Sequence, residues 1–458
     1  MRVAGLLMAL VALWLLVAPG NALADVRDTD RVGAVELSAN PAIHDAAPDV
    51  ECNFGALMAT DGTILWQRDA NVQVPMASTT KIMVALVVLD LGSPSDLITV
   101  SANAASMEGS TAYLAAGDEL TMEQLLYAML LPSGNDAAVA LAEHYAGGDI
   151  YGFVALMNAK AAELGMNSTH FSNPSGIEDV DNYTTANDYL KLVAKAMSNR
   201  LFRTVVATPE YTYDSTARGV PITVASTNML LGEYDGAIGV KTGHTDAAGY
   251  CFIGAAERDG IGLYSVVLDS PDMWSRFQDT INLWDWGFAH YRRALLLDSQ
   301  TVVGNAVATS WLDKLVPVVA KEDAYGLVFD YEPDLVQEID IHDREGVIDR
   351  GSAMGTVRWL RNGEVVAQVN LVSSENVDAP SIIESMQIWW HRFAGFFTGD
   401  VLSVEQNTLL GDTYPLGSLT GATVASPVKM EVAAPAEPVV EEQPAPEAPA
   451  NEALPEAA

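Results

Sequence analysis

The stretch "PMASTTKIMVAL" (residues 75–86) decides how this chain is read: a polar turn carrying Ser78 runs into an apolar helix that carries Lys81 in its first turn. From Thr80 to Leu91 nearly every residue is apolar and the run closes on Gly92, so the helix is hydrophobic all round and belongs in a core. A lysine at the head of such a helix is unfavourable as an ammonium ion. Ser78 and Lys81 stand three apart on one helix face, where the amine reaches the hydroxyl. A desolvated lysine loses part of its preference for charge and works as a base near neutral pH, which is what a bare serine lacks as a nucleophile. Taken alone, S-x-x-K is equally the pattern of a capping serine followed by a surface lysine.

Upstream, "FGALMAT", "DG" and "TILWQRD" read as a β-hairpin, and the structured part is expected to begin near Cys52. Downstream, helical patterns follow at "MEQLLYAMLL", "NDAAVALAEHYA", "IYGFVALMNAKAAELG" and "ANDYLKLVAKAM". Strand patterns return at "GAIGVKTG", "GYCFIGAAERDG" and "IGLYSVVLDS", and the helix "MWSRFQDTINLWDWGFAHY" ends the block. Two strands, a helical insert, three strands and a helix imply an α+β layout: an antiparallel sheet flanked by helices, over residues 52–294.

Residues 295–378 carry short β-type runs and read as a small all-β domain. Residues 381–397, "IIESMQIWWHRFAGFF" and its flank, form an amphipathic helix suited to a membrane interface, with one arginine. Residues 398–458 are expected to be an acidic Pro/Ala/Glu-rich disordered tail, and residues 25–51 a polar linker. At the N-terminus, Arg2, an apolar run and Ala22-Leu23-Ala24 make residues 1–24 a secretory signal peptide. The chain is therefore expected to be exported and to work outside the cytoplasm, at the cell wall or the outer face of the cytoplasmic membrane.

The 458 residues allow two or three domains, and a hydrophobic fraction of 49% is ample for real cores. With 24 Lys+Arg against 60 Asp+Glu, the net charge of −36 disfavours nucleic acid and anionic surfaces as partners. The seven histidines show no ligand spacing, so neither a metal nor another cofactor is implied. Cys52 and Cys251 are equally readable as a disulfide or as two free buried thiols.

Two further motifs join the first. Ser133-Gly134-Asn135, in a turn between helices, projects a hydroxyl and an amide together, although singly it is an ordinary capping turn. Lys241-Thr242-Gly243 ends a strand with a cationic edge that suits a substrate carboxylate, and Gly243 admits a close backbone. In this order, S-x-x-K, S-x-N and K-T-G form the set shared by penicillin-binding proteins and serine β-lactamases.

With "FVALMNAKAAELGMNSTHFSNPSG", "GVKTGHTDAAGYC" and "RFQDTINLWDWGF", the chain resembles the D-alanyl-D-alanine carboxypeptidases of the low-molecular-mass penicillin-binding proteins over roughly residues 52–397. The resemblance implies a transpeptidase/β-lactamase-like α+β domain, a β-rich domain and a C-terminal amphipathic anchor. Carried over, Ser78 is the acylated nucleophile, Lys81 its base, and Ser133 and Asn135 their partners. Lys241, Thr242 and Gly243 form the far wall, the backbone N–H groups of Ser78 and His244 the oxyanion hole, and Arg276 a holder of the substrate carboxylate. The implied partners are D-Ala-D-Ala stem peptides of peptidoglycan, with β-lactams as inhibitors and peripheral membrane contact through residues 381–397.

The chain departs from the family at Asn173-Pro174-Ser175-Gly176, where Asn-Pro-His-Gly is common, and at Asn182, where a histidine is common. The rival readings are a serine β-lactamase, for which Glu163 and Asn167 provide a Glu-x-x-x-Asn spacing, and a non-catalytic penicillin-binding sensor.

Overall fold

The computed structural model describes residues 26–44, 46–399 and 404–415. The expected signal peptide 1–24 lies outside the described residues, as does everything beyond residue 415.

The hairpin signal is realised as β3 (Phe54–Ala59) and β4 (Ile64–Arg68), with Gly62 at φ 94° in the turn and the Asp61 carboxylate accepting from Thr63 N at 3.0 Å. Preceding them are two short strands, β1 (Arg31–Val32) and β2 (Val35–Glu36), and following them β5 (Ala237–Thr245), β6 (Gly249–Arg258) and β7 (Ile261–Ser270). The seven strands form one antiparallel sheet in the order β5-β6-β7-β3-β4-β1-β2. Lys241 lies opposite Ile253 and Gly243 opposite Cys251, so the K-T-G strand is a sheet edge.

On one face of the sheet α5 (Ala186–Met197) packs against β3 and β7, and α1 (Lys81–Leu91), α2 (Met122–Leu130), α3 (Asn135–Tyr145) and α4 (Ile150–Glu163) share its hydrophobic core. In α1, Ile82 through Val88 are all buried, as an all-apolar helix requires, and α2 starts at a capping box between Thr121 and Gln124. The other face carries α6 (Ser275–His290), whose Phe277, Leu283 and Trp284 pack with Leu57, Leu65 and Trp66 of the sheet. The expected α+β layer is what folds.

The linker expected at residues 25–51 is instead part of this domain. β1 pairs with β4, Arg31 against Gln67 and Val32 against Trp66, and Val32, Leu37 and Val50 are buried. Asp30 and Arg68 form a fully buried ion pair, Nε to Oδ1 at 2.8 Å and Nη2 to Oδ2 at 2.6 Å, while Arg68 Nη1 donates to Val50 O and Cys52 O. Strands of two residues carry no readable period, and an ion pair 38 residues apart in sequence leaves no local pattern.

The second module starts at Tyr291 rather than 295, because the strand Tyr291–Leu297 follows α6 with no loop and pairs with Ala324–Phe329. A second seven-stranded antiparallel sheet includes Val302–Val307, Leu315–Ala320, Leu335–Ile341, Ala353–Arg361 and Glu364–Ser373. The two modules meet where Tyr291 OH donates to Asp61 and Arg361 Nη1 to Thr63 Oγ1.

Helix α7 (Ile382–Thr398) leaves this module from a Ser381/Glu384 capping box and ends at left-handed Gly399. The expectation of disorder from residue 398 fails for residues 404–415: Asn407–Thr408 pairs with Val302–Val307, and Thr413–Tyr414 with Leu335–Ile341, closing both edges of the sheet. Backbone pairing to open strand edges holds this segment, which its side chains alone do not foretell.

Candidate active site

The nucleophile candidate sits in a short 3₁₀ turn, Ala77–Thr80, that feeds α1, with Ala77 at φ 49°. Lys81, the first residue of α1, is 0% exposed. Its Nζ lies 2.9 Å from Ser78 Oγ, 2.8 Å from Asn135 Oδ1 and 2.5 Å from Ser175 O. Burial first, and the Lys241 ammonium second, hold the Lys81 amine well below the usual lysine range, against a smaller opposing effect of Asp136.

The second motif reaches this amine because Asn135 begins α3, immediately after the turn at Ser133-Gly134. Asn135 Nδ2 donates to Glu108 O at 2.7 Å, which orients its Oδ1 toward Lys81. Ser133 is held at φ 67° and 5% exposure, and its Oγ has no hydrogen-bond partner among the described residues. A buried hydroxyl left unpaired two residues before the Asn135 that binds Lys81 is a group placed for something other than stability.

The third motif closes the site from the sheet edge. A Cβ on Gly243 would stand 3.1 Å from Ala77 Cβ and 3.2 Å from Ser78 N, so any larger residue would push the strand and the nucleophile turn apart by a few tenths of an ångström. Lys241 is 1% exposed and donates to Thr242 O at 2.9 Å, while Thr242 Oγ1 meets Thr227 Oγ1 at 2.6 Å. Burial and the neighbouring Arg276 push the Lys241 amine down to about 7. Arg276, at the start of α6, is 7% exposed and donates from Nη1 to Gly243 O at 3.1 Å, leaving Nε without a partner among the described residues. His244 is exposed and stacks on Tyr250 with centroids 4.1 Å apart.

All nine residues singled out from the sequence therefore converge on one site. Others had no motif to announce them. Ser175 contributes only its backbone carbonyl, so the serine that stands where histidine is common leaves the contact with Lys81 untouched. Asn173 staples that turn: its Oδ1 accepts from Gly176 N at 2.7 Å and Ser175 Oγ at 3.0 Å. Asn182, the other departure, donates to Thr80 Oγ1 at 3.3 Å. Asp136, 1% exposed, binds Thr111 Oγ1, Ala112 N and Leu114 N. An acidic residue just after S-x-N is a signal that periodicity does not reveal.

Glu163, which the β-lactamase reading needs beside the nucleophile, is exposed and paired with Lys160. Cys52 and Cys251 are buried free thiols. No group of three His, Cys, Asp or Glu side chains able to hold a metal occurs among the described residues.

The family described as D-alanyl-D-alanine carboxypeptidase matches residues 44–272. A D-alanyl-D-alanine carboxypeptidase of Streptomyces sp. strain K15 is 37% identical over 274 residues, covering 56% of this chain and 94% of that protein. The carboxypeptidase DacF of Bacillus subtilis is 30% identical over 343 residues, covering 73% of this chain and 87% of that protein. The crystal structure of the carboxypeptidase DacD from Francisella tularensis aligns with a TM-score of 0.53 at 27% identity, over 72% of this chain and 94% of that one. Since the match runs through all three motifs and the likeness to solved structure extends beyond them, this chain belongs to the D-alanyl-D-alanine carboxypeptidase family.

Proposed function

We propose that the protein is a serine DD-carboxypeptidase that removes the terminal D-alanine from peptidoglycan stem peptides through an acyl-enzyme on Ser78. The observation that carries this reading is the surroundings of Lys81 Nζ. Asn135 Oδ1 and Ser175 O can only accept, so they take both N–H groups of a neutral amine and leave its lone pair for the Ser78 O–H. Burial and the neighbouring Lys241 ammonium, by depressing the basicity of Lys81, favour that neutral amine.

In the forward reaction Lys81 takes the hydroxyl proton as Ser78 Oγ bonds to the carbonyl carbon between the two D-alanines. The N–H groups of Ser78 and His244 receive the oxyanion. When the C–N bond breaks, the proton passes through the Ser133 hydroxyl to the departing amine, and D-alanine leaves. Water, deprotonated by the same lysine, then releases the shortened peptide. Lys241 and Arg276 provide the positive potential for the terminal carboxylate of the substrate. A β-lactam acylates Ser78 in the same way, but its leaving nitrogen stays tethered in the adduct and obstructs water.

The test is D-alanine release from diacetyl-L-Lys-D-Ala-D-Ala, with labelling by a fluorescent penicillin, for the wild type and Ser78→Ala. Repeated turnover and labelling that both vanish in the variant support the carboxypeptidase. Labelling without release points to a sensor, and rapid hydrolysis of penicillin to a lactamase.

We further propose an extracytoplasmic location with α7 resting on the membrane surface. Ile382, Ile383, Met386, Trp389, Phe396 and Phe397 are each more than 60% exposed, and α7 buries only Ile388 and Gly395. Arg392, its single Lys or Arg, donates to Thr309 O and Trp311 O, so apolar insertion rather than charge carries the contact. No described helix is long and apolar enough to cross a membrane. Binding to zwitterionic vesicles that is insensitive to salt, and lost in Trp389→Ala/Phe396→Ala, is the expected result. Binding that requires anionic lipid refutes it.

A further inference from the structure

Seven non-glycine residues among those described have positive φ, and four of these are aspartate or asparagine, which tolerate it. The other three are Ala77, Ser133 and Tyr113. Ala77 precedes the nucleophile and Ser133 heads the second motif, where held strain is in keeping with function. Tyr113, at φ 62°, belongs to neither motif, and a bulky aromatic residue is poorly suited to that conformation.

The surrounding loop enforces it. The buried Asp136 carboxylate grips Thr111 Oγ1 at 2.6 Å and the N–H groups of Ala112 and Leu114 on either side of the tyrosine, each at 3.0 Å. Tyr213 OH donates to Ala112 O at 2.6 Å, and Tyr113 N to Thr111 Oγ1 at 3.0 Å. Ala112 and Leu114 are buried, yet Tyr113 is 65% exposed. The same loop is tied to the catalytic amide residue, through Asn135 N to Ser110 O at 2.8 Å and Asn135 Nδ2 to Glu108 O at 2.7 Å. A Cβ on Gly134 would stand 3.0 Å from Ala112 Cβ, so the tyrosine backbone lies one residue from the wall of the S-x-N turn. The fold thus pins a strained backbone that carries an exposed aromatic residue next to the S-x-N turn.

We propose that Tyr113 is a specificity-determining residue that receives the amine-tipped aliphatic side chain of the residue preceding D-Ala-D-Ala. This rests on the carboxypeptidase reading and names the substrate feature it selects. A phenol ring offers an apolar face to a methylene chain and a negative quadrupole to an ammonium group. The exposed carboxylate residue Glu108 lies on the same loop, and a chain of net charge −36 favours a cationic over an anionic side chain.

The experiment compares kcat/KM for Nα-acetyl-L-Lys-D-Ala-D-Ala, with its free ε-amine, against the Nα,Nε-diacetyl peptide, in the wild type, Tyr113→Phe and Tyr113→Gly. The wild type and Tyr113→Phe should favour the free amine by roughly two- to fivefold. Tyr113→Gly should lose the ring-dependent preference while melting no lower than the wild type, because glycine adopts positive φ without strain. A preference unchanged in Tyr113→Gly, or absent in the wild type, overturns the inference while leaving the carboxypeptidase intact. Release of D-alanine from neither peptide by the wild type overturns the proposed function, and this inference with it.

Discussion

Gly176→Ala tests whether the Ser175 carbonyl is part of the machinery. Gly176 has φ 78°, and a Cβ there would lie 2.0 Å from Ala77 O and 2.9 Å from Ser78 N. Real Cβ contacts do not fall below 3.0 Å, so the loop has to retreat from the nucleophile turn by about 1 Å. Ser175 is the adjacent residue, and its carbonyl moves away from Lys81 Nζ with the loop. A misplacement of about 1 Å in a catalytic constellation costs on the order of 100-fold in rate. Left-handed backbone for alanine adds roughly 1–2 kcal/mol of destabilisation.

The assay is the second-order rate of acylation by a fluorescent penicillin, with the adduct located on Ser78 by mass spectrometry and folding followed by thermal melting. Acylation should fall about 100-fold in a folded variant. Its lower pH limb should also move toward lower pH, because loss of a carbonyl acceptor weakens the ammonium form of Lys81 more than the neutral one. A folded Gly176→Ala that acylates within about threefold of the wild type would refute the role given to Ser175, since the retreat is expected to cost far more.

Other outcomes follow from the same geometry. Asp30→Ala removes one member of a fully buried ion pair and should lower stability by about 3–5 kcal/mol in denaturant unfolding, whereas a loss below about 1 kcal/mol would return residues 26–50 to the status of a linker. Lys241 titrates at about 7 in the folded protein and near 10.4 when unfolded, so the unfolded chain binds the extra proton across that window. Stability should therefore rise with pH from about 7 toward 10, and Lys241→Gln should flatten the rise by up to about 1.4 kcal/mol per pH unit; an unchanged slope counts against a neutral buried lysine. Because the Lys241 cation also helps depress Lys81, the same variant should shift the lower pH limb of acylation upward, and a downward shift would contradict the electrostatics.

What could be read without coordinates was whatever local chemistry encodes. The hairpin at Asp61-Gly62, the all-apolar α1 and the α+β order of elements follow from periodicity and turn residues. Ser78, Lys81, Ser133, Asn135 and Lys241 are legible because side-chain chemistry is needed at fixed spacing, and spacing is written in the chain. Tertiary structure alone decided what backbone and distance control. The Ser175 carbonyl carries no residue-type signature, since any amino acid supplies one. Asp136 and Tyr113 matter through φ angles and hydrogen bonds that close only when α3 packs beside the loop at residues 108–114. The Asp30–Arg68 pair joins segments that no local window spans, and residues 404–415 are held by open strand edges present only once the second sheet has formed. Local sequence determines elements and reactive groups, whereas which amine is neutral and which strand is completed depend on burial and proximity that arise only in the folded chain.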